Sequence, residues 1–203
     1  MKFVPNALTI GRIVVTPILL ALLLTETLLG QLGALVLFIL AAISDYYDGK
    51  MARTYGAQSR LGQFLDPFAD KVLVLGTLAV LAVMIPKIVP WWAVALIALR
   101  DVAVTVLRMW AESRGQTLRT VPMAKTKTTL QLVFLIGVLV VMAATKFPEM
   151  IASPARWVLE GDGYVIPLAL LMAVVALTIF TGVWYLFNKE YVSPEQVPDE
   201  GNL

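Results

Sequence analysis

The chain has 203 residues, of which 59% are apolar and 15% are charged, and it contains neither cysteine nor histidine. Soluble globular proteins have roughly 45–50% apolar and about 25% charged residues, so this composition indicates an integral membrane protein. The missing residue types exclude disulfide scaffolds, thiolate or imidazole zinc sites and histidine-based triads, so any metal must have oxygen ligands, which favours hard divalent ions. The net charge is only +2, so the placement of charges is more informative than their sum.

Six apolar runs, in chain order, are candidates for membrane-spanning helices, which need about 20 residues each. They cover about residues 13–29, 32–43, 68–85, 89–107, 129–144 and 165–187. The second run reaches spanning length only if its helix continues through Asp45 and Asp48. We therefore predict an all-α, polytopic membrane protein with six transmembrane helices. It forms a single domain over residues 1–203, with a short interfacial segment at 1–12 and a mobile polar tail at 192–203.

Basic residues are divided unevenly between the two sides that six spans define. Of the 16 basic residues, all but Lys87, Lys146 and Arg156 lie on the side that carries both termini. Because cytoplasmic loops are enriched in Lys and Arg, we predict that both termini face the cytoplasm. Aromatic residues then fall at both interfaces, with Trp91, Trp92 and Trp157 at the outer one and Tyr46, Tyr47, Trp110, Trp184 and Tyr185 at the inner one.

Four aspartates cluster at the cytoplasmic ends of the second and third runs. Asp45 and Asp48 are three residues apart, and Asp66 and Asp70 are four apart, so each pair shares one helix face. The connection is short, so we predict antiparallel neighbouring helices whose acidic faces meet. Four converging carboxylates would repel each other at a membrane interface, and divalent cations remove that repulsion. We interpret the cluster as a metal site. The alternative for one member is a helix cap, since Asp66 precedes Pro67.

The stretch from Asp45 to Asp70 resembles a known signature. It reads D-Y-Y-D-G-K-M-A-R, eight residues, G, three residues, D, three residues, D. This is similar to D-x-x-D-G-x-x-A-R-x₈-G-x₃-D-x₃-D of the CDP-alcohol phosphatidyltransferase family, at every fixed position and spacing. The resemblance extends over the whole chain. It implies six transmembrane helices in a bacterial inner membrane, a site that faces the cytoplasm, and a homodimer.

The resemblance also implies roles for individual residues. Asp45, Asp48 and Asp66 bind two divalent cations, Mg²⁺ or Mn²⁺, that hold the pyrophosphate of a CDP-linked donor. Asp70 takes the proton from the acceptor hydroxyl and helps to ligate metal. The alternative role for the small residues of the signature is helix packing alone. The alternative role for its arginine is a salt bridge to an aspartate. The residues expected to bind the donor are Asn6, Thr9, Gly49, Ala52, Arg53 and Gly62.

A group of basic residues lies in or next to the fourth and fifth runs, on the same side of the membrane as the aspartates. Such cations suit an anionic, phosphorylated acceptor. The alternative is positive-inside topology with attraction to anionic headgroups, which explains Arg100 less well because it lies within an apolar run. The segment resembles members of the family that use glycerol 3-phosphate, although Asp101 and Ala124 stand where Glu and Gly are more usual. The residues expected to bind the acceptor phosphate are Arg100, Arg108, Lys125 and Lys127.

Together with the placement of the cations, the resemblance implies an enzyme in the lipid bilayer that transfers the phosphatidyl group of CDP-diacylglycerol to sn-glycerol 3-phosphate, with no nucleic-acid partner. The alternative within the family is a different acceptor, either inositol phosphate or phosphatidylglycerol. An alternative from another class is a cation transporter, because intramembrane carboxylates also mark ion pathways. The transporter is disfavoured since all four aspartates lie at one end of their helices.

Overall fold

The computed structural model describes residues 4–55, 60–114, 117–118, 122–187 and 191–192. Side chains are described at fewer positions, and those of residues 1–10, 45–70, Arg108 and Lys125 are outside this set.

Helices make up almost all of the described chain, as predicted. A 3₁₀ turn at Asp162–Tyr164 leads into the last helix. The helices are α1 Val4–Leu24, α2 Leu28–Tyr55, α3 Arg60–Met84, α4 Trp91–Ser113, α5 Pro122–Ala144, α6 Glu149–Leu159 and α7 Val165–Phe187.

Two short strands are the exception to the all-α prediction in the part of the chain that is described. β1 (Thr117–Leu118) and β2 (Tyr191–Val192) pair in antiparallel register, with Thr117 opposite Val192. The pair ties the segment after α4 to the segment after α7. The first residue of the predicted polar tail therefore lies in a strand, and residues 193–203 lie outside the described residues.

Each of the six predicted runs corresponds to a helix. The second helix, α2, extends to Tyr55, so the prediction that it continues through Asp45 and Asp48 is confirmed. α1 begins at Val4, so most of the predicted interfacial segment is continuous with the first run.

Two stretches of the described helices are long and apolar enough to cross a bilayer, Thr126–Ala144 in α5 and Asp162–Tyr185 around α7. Shorter apolar stretches occur in the first three helices, at Gly11–Leu24, Leu28–Ser44 and Lys71–Met84. Large apolar side chains remain on the outside of the helices, as at Leu99 and Val183. An outer surface of this kind suits a lipid environment rather than water.

α1 packs against both α2 and α3, α5 packs against α2 and α7, and α4 contacts α3 and α7. These contacts bury one continuous apolar core, to which Leu19, Phe38, Leu78, Phe134 and Leu171 contribute from five different helices. The core fixes the relative positions of the helices that carry the predicted site residues.

α6 corresponds to none of the six predicted runs. This amphipathic helix buries Ala152, Ala155 and Leu159 and leaves Trp157 about half exposed. With 11 residues it is too short to span a bilayer, so a search for apolar runs of spanning length passes over it.

Candidate active site

The four aspartates lie in α2 and α3, at the ends of these helices that face their connection. Asp45 and Asp48 are toward the C-terminal end of α2, and Asp66 and Asp70 are toward the N-terminal end of α3. Both segments are continuous helix, so each pair shares a face of its helix, as the spacing predicted. Their side chains lie outside the described residues, so the convergence of all four carboxylates stays a prediction.

The start of α3 settles the alternative interpretation of Asp66. The helix begins at Arg60, so both Asp66 and Pro67 lie inside it. The interpretation of Asp66 as an N-cap with proline at the first helical position is therefore wrong. Asp66 needs another explanation, and ligation of a metal remains as one.

The residues expected to bind the donor are carried by three helices, α1, α2 and α3. Their side chains lie outside the described residues, but α1 packs against both α2 and α3, so the helices that carry them are neighbours. They are Asn6 and Thr9 in α1, Gly49, Ala52 and Arg53 in α2, and Gly62 in α3.

The chemistry of the available donor atoms bears on a metal site. Among the described side chains, no group of three acidic residues is placed to hold a metal ion. The signature aspartates are not among those side chains. They offer carboxylate oxygens alone, a donor set that fits Mg²⁺ or Mn²⁺.

Asp101 of α4 is the centre of a buried ion cluster. Lys127 Nζ of α5 donates to both of its carboxylate oxygens, at 2.9 Å to Oδ1 and 2.8 Å to Oδ2. Arg100 Nη1 donates to Oδ1 at 3.1 Å. Asp101 is 4% exposed and Lys127 is 1% exposed, so one carboxylate partners two cations away from solvent. We call Arg100, Asp101 and Lys127 the Asp101 cluster.

Arg100 connects the Asp101 cluster to α7. Its Nη2 donates to Thr181 Oγ1 at 3.0 Å, and its guanidinium carbon lies 5.9 Å from the ring centre of Tyr185. A Cβ added to Gly182 would lie 3.1 Å from Arg100 Cγ, so the glycine leaves room for the arginine stem. Tyr185 is 3% exposed. Its side chain is therefore buried near Arg100 and not on the outer surface of the helices, and its place at the inner interface stays a prediction.

The structure brings together two of the four residues expected to bind the acceptor phosphate. Arg100 and Lys127 meet at Asp101, whereas the side chains of Arg108 and Lys125 lie outside the described residues. Sequence reasoning assigned no role to Asp101. The signal was present, because Arg100 within an apolar run needs a partner and Asp101 is the next residue.

A small pocket adjoins the Asp101 cluster. Its enclosed part has room for about one water-sized group. Val74, on its wall, is four residues after Asp70 in α3, so both positions are on the same face of that helix. The pocket therefore lies between α3, which carries the predicted base, and the helices α4 and α5, which carry the Asp101 cluster. Its lining residues are Lys71 and Val74 of α3, Asp101 of α4, and Thr128, Gln131 and Leu132 of α5.

Comparisons with known proteins agree with the signature. The profile of the family described as CDP-alcohol phosphatidyltransferase matches residues 2–186. A probable phosphatidylglycerophosphate synthase of Mycobacterium tuberculosis is 33% identical over 187 residues, covering 89% of this chain and 78% of the relative. A CDP-diacylglycerol–glycerol-3-phosphate 3-phosphatidyltransferase of Cereibacter sphaeroides is 33% identical over 211 residues, covering 92% of this chain and 94% of the relative. A protein with the same description from Bacillus subtilis is 33% identical over 141 residues, covering 64% of this chain and 72% of the relative.

Proposed function

Because the chain belongs to the CDP-alcohol phosphatidyltransferase family, we propose that it transfers the phosphatidyl group of CDP-diacylglycerol to sn-glycerol 3-phosphate. The products are phosphatidylglycerophosphate and CMP. The observation that carries this proposal is the complete signature, from Asp45 to Asp70, at the adjoining ends of α2 and α3. The descriptions of the relatives, which name glycerol 3-phosphate as the acceptor, support the choice of alcohol.

In this proposal the aspartates divide the chemical work. A hydroxyl of glycerol 3-phosphate attacks the phosphorus that bears diacylglycerol, the bond to CMP breaks, and Asp70 accepts the hydroxyl proton. Asp45, Asp48 and Asp66, with Asp70, would hold two divalent cations, Mg²⁺ or Mn²⁺. When bound, these ions would neutralise the negative charge of the pyrophosphate and of the departing CMP. Asn6, Thr9 and the small residues and arginine of the signature would bind the rest of the donor.

The Asp101 cluster supports an anionic acceptor. It holds two cations and one carboxylate, so it keeps one surplus positive charge in a buried place. A phosphate near it would complete the neutralisation with charge-assisted hydrogen bonds. We assign binding of the acceptor phosphate to Arg100 and Lys127. Arg108 of α4 and Lys125 of α5, which lie on the same side of the membrane in this topology, would bind it as well.

The proposal includes a topology. Each of the six apolar runs overlaps a helix, and a six-span arrangement with both termini in the cytoplasm would put most basic residues on the side of the aspartates. The protein would then be a single-domain, multi-pass protein of a bacterial inner membrane, with residues 1–12 at the interface. A homodimer is part of the same proposal, on the strength of the family resemblance.

Purified protein offered CDP-diacylglycerol with one acceptor at a time tests the proposed substrate. We expect phosphatidylglycerophosphate from glycerol 3-phosphate, identified by mass, and little product from inositol phosphate or phosphatidylglycerol. Faster transfer to either of those alcohols would replace the acceptor but keep the family chemistry. Cation flux through protein-containing vesicles without any transfer would favour the transporter instead.

A further inference from the structure

Gln131 of α5 is a buried amide with an unused donor. Its residue is 3% exposed, and its Nε2 has no hydrogen-bond partner among the described residues. An amide N–H that is buried without an acceptor is costly, so such a group needs an explanation. A ligand that supplies an oxygen would remove that cost.

The unused donor belongs to a residue that lines the small pocket. Gln131 shares this lining with Thr128 and Leu132, which lie on the same face of α5, and with Asp101 and Lys71 from the neighbouring helices. The enclosed space admits about one water-sized group. One oxygen of a substrate has this size, whereas a whole headgroup does not.

The position of the pocket points to the acceptor alcohol. Asp70, the proposed base, is on the same face of α3 as Val74 on the pocket wall. Lys127 is four residues before Gln131, so the proposed phosphate-binding cation and the amide share a face of α5. A molecule bound here would therefore lie beside the neutral donor of Gln131, on the helix faces that carry the proposed base and the proposed phosphate-binding cation.

We propose that Gln131 is a specificity-determining residue, whose Nε2 donates a hydrogen bond to the secondary hydroxyl of glycerol 3-phosphate. This inference rests on the proposed function. The three polar groups of the acceptor then have three partners of matching chemistry. The phosphate meets the cations, the attacking primary hydroxyl meets Asp70, and the remaining neutral hydroxyl meets the neutral amide.

The test compares two acceptors in two variants. The second acceptor is 3-hydroxypropyl phosphate, which is glycerol 3-phosphate without its secondary hydroxyl. The test variant is Gln131→Met, which keeps the length of the side chain and removes the amide. The matched control is Gln31→Met. Gln31 is also 3% exposed and has an unpartnered amide oxygen among the described residues, but it lies in α2 and does not line the pocket.

We expect the wild-type chain and Gln31→Met to prefer glycerol 3-phosphate over the analogue by about 10–100-fold in kcat/KM. In Gln131→Met the two acceptors should be used equally, within about twofold, through a loss on glycerol 3-phosphate alone. Its thermal unfolding midpoint in detergent should not fall, because the removed Nε2 has no hydrogen-bond partner among the described residues to lose.

Retained discrimination in Gln131→Met would overturn the inference. So would an equal loss on both acceptors with a lower unfolding midpoint, or failure of the variant to fold, since either result would make Gln131 a structural residue. A wild-type chain that transfers nothing to either acceptor would instead refute the proposed function, and with it the basis of the inference.

Discussion

The Asp101–Lys127 and Glu149–Arg156 ion pairs are nearly equal in length, at 2.8 Å and 2.9 Å, but differ in their surroundings. The side chains of the first pair are 5% and 2% exposed, whereas those of the second are 74% and 45% exposed. An exposed pair competes with water and salt and contributes about 0–1 kcal/mol. A buried pair exists at a large desolvation cost, so loss of one partner leaves a charge that nothing compensates.

The two pairs also differ in what they connect. Glu149 and Arg156 lie within α6 and join two turns of one helix. The Asp101 cluster joins α4 to α5 and, through Arg100 and Thr181, to α7. Buried charge is expensive in a membrane protein and typically marks function. The buried cluster therefore indicates a functional region, and the α6 pair does not.

Replacement of Asp101 by alanine should have the largest effect on stability. Lys127 would stay buried and Arg100 partly buried without their carboxylate, so the free energy of unfolding should fall by about 3–5 kcal/mol. Denaturant titration in mixed micelles measures it. Asp101→Glu is the control, since it keeps the charge and should cost much less. A loss below about 1 kcal/mol in Asp101→Ala would contradict the account.

Removal of both Asp101 and Lys127 should lower the free energy of unfolding by less than the sum of the two single losses. In Asp101→Ala combined with Lys127→Met, neither partner of the pair remains charged and buried. The double variant should therefore be more stable than the sum of the single losses by about 1–3 kcal/mol. The same denaturant titration on the wild-type chain, the two single variants and the double variant gives the complete double-mutant cycle. Strict additivity would mean that the pair seen in the structure is not coupled energetically.

The α6 pair should show the smallest effect. Glu149→Gln and Arg156→Gln should each change the free energy of unfolding by less than about 1 kcal/mol, and added salt should reduce even that difference. If either change cost as much as Asp101→Ala, exposure would not be what distinguishes the two pairs.

Sequence patterns predicted the helices where periodicity and length were strong. Each of the six apolar runs overlaps a helix, and the length that the second run needs to span a bilayer anticipated the continuation of α2 through Asp45 and Asp48. The same reasoning passed over α6, because its buried face consists of two alanines and one leucine rather than an apolar run. The burial of Tyr185 was not predicted either, because nothing in its own segment shows that Arg100 reaches it from α4.

The parts of the candidate site also differ in how far the sequence predicts them, because some depend on local spacing and others on packing between distant helices. The aspartate signature is local, since its spacing is fixed by two helices and one short connection. The Asp101 cluster joins residues 26 positions apart, and its link to Thr181 joins residues 81 positions apart. Such contacts arise from packing, so the chain shows which cations need partners but not which helix supplies them. The pocket beside Gln131 has the same origin, because three helices line it.

Release of CMP from CDP-diacylglycerol, by the wild-type chain and by Asp70→Asn, tests the central claim most directly. The proposed mechanism predicts that release by the wild-type chain requires glycerol 3-phosphate and yields one phosphatidylglycerophosphate per CMP. Asp70→Asn should still bind the donor but turn over about 10²–10⁴-fold more slowly, because the proton acceptor is gone. CMP release without glycerol 3-phosphate, or turnover of the variant within tenfold of the wild-type rate, would contradict it.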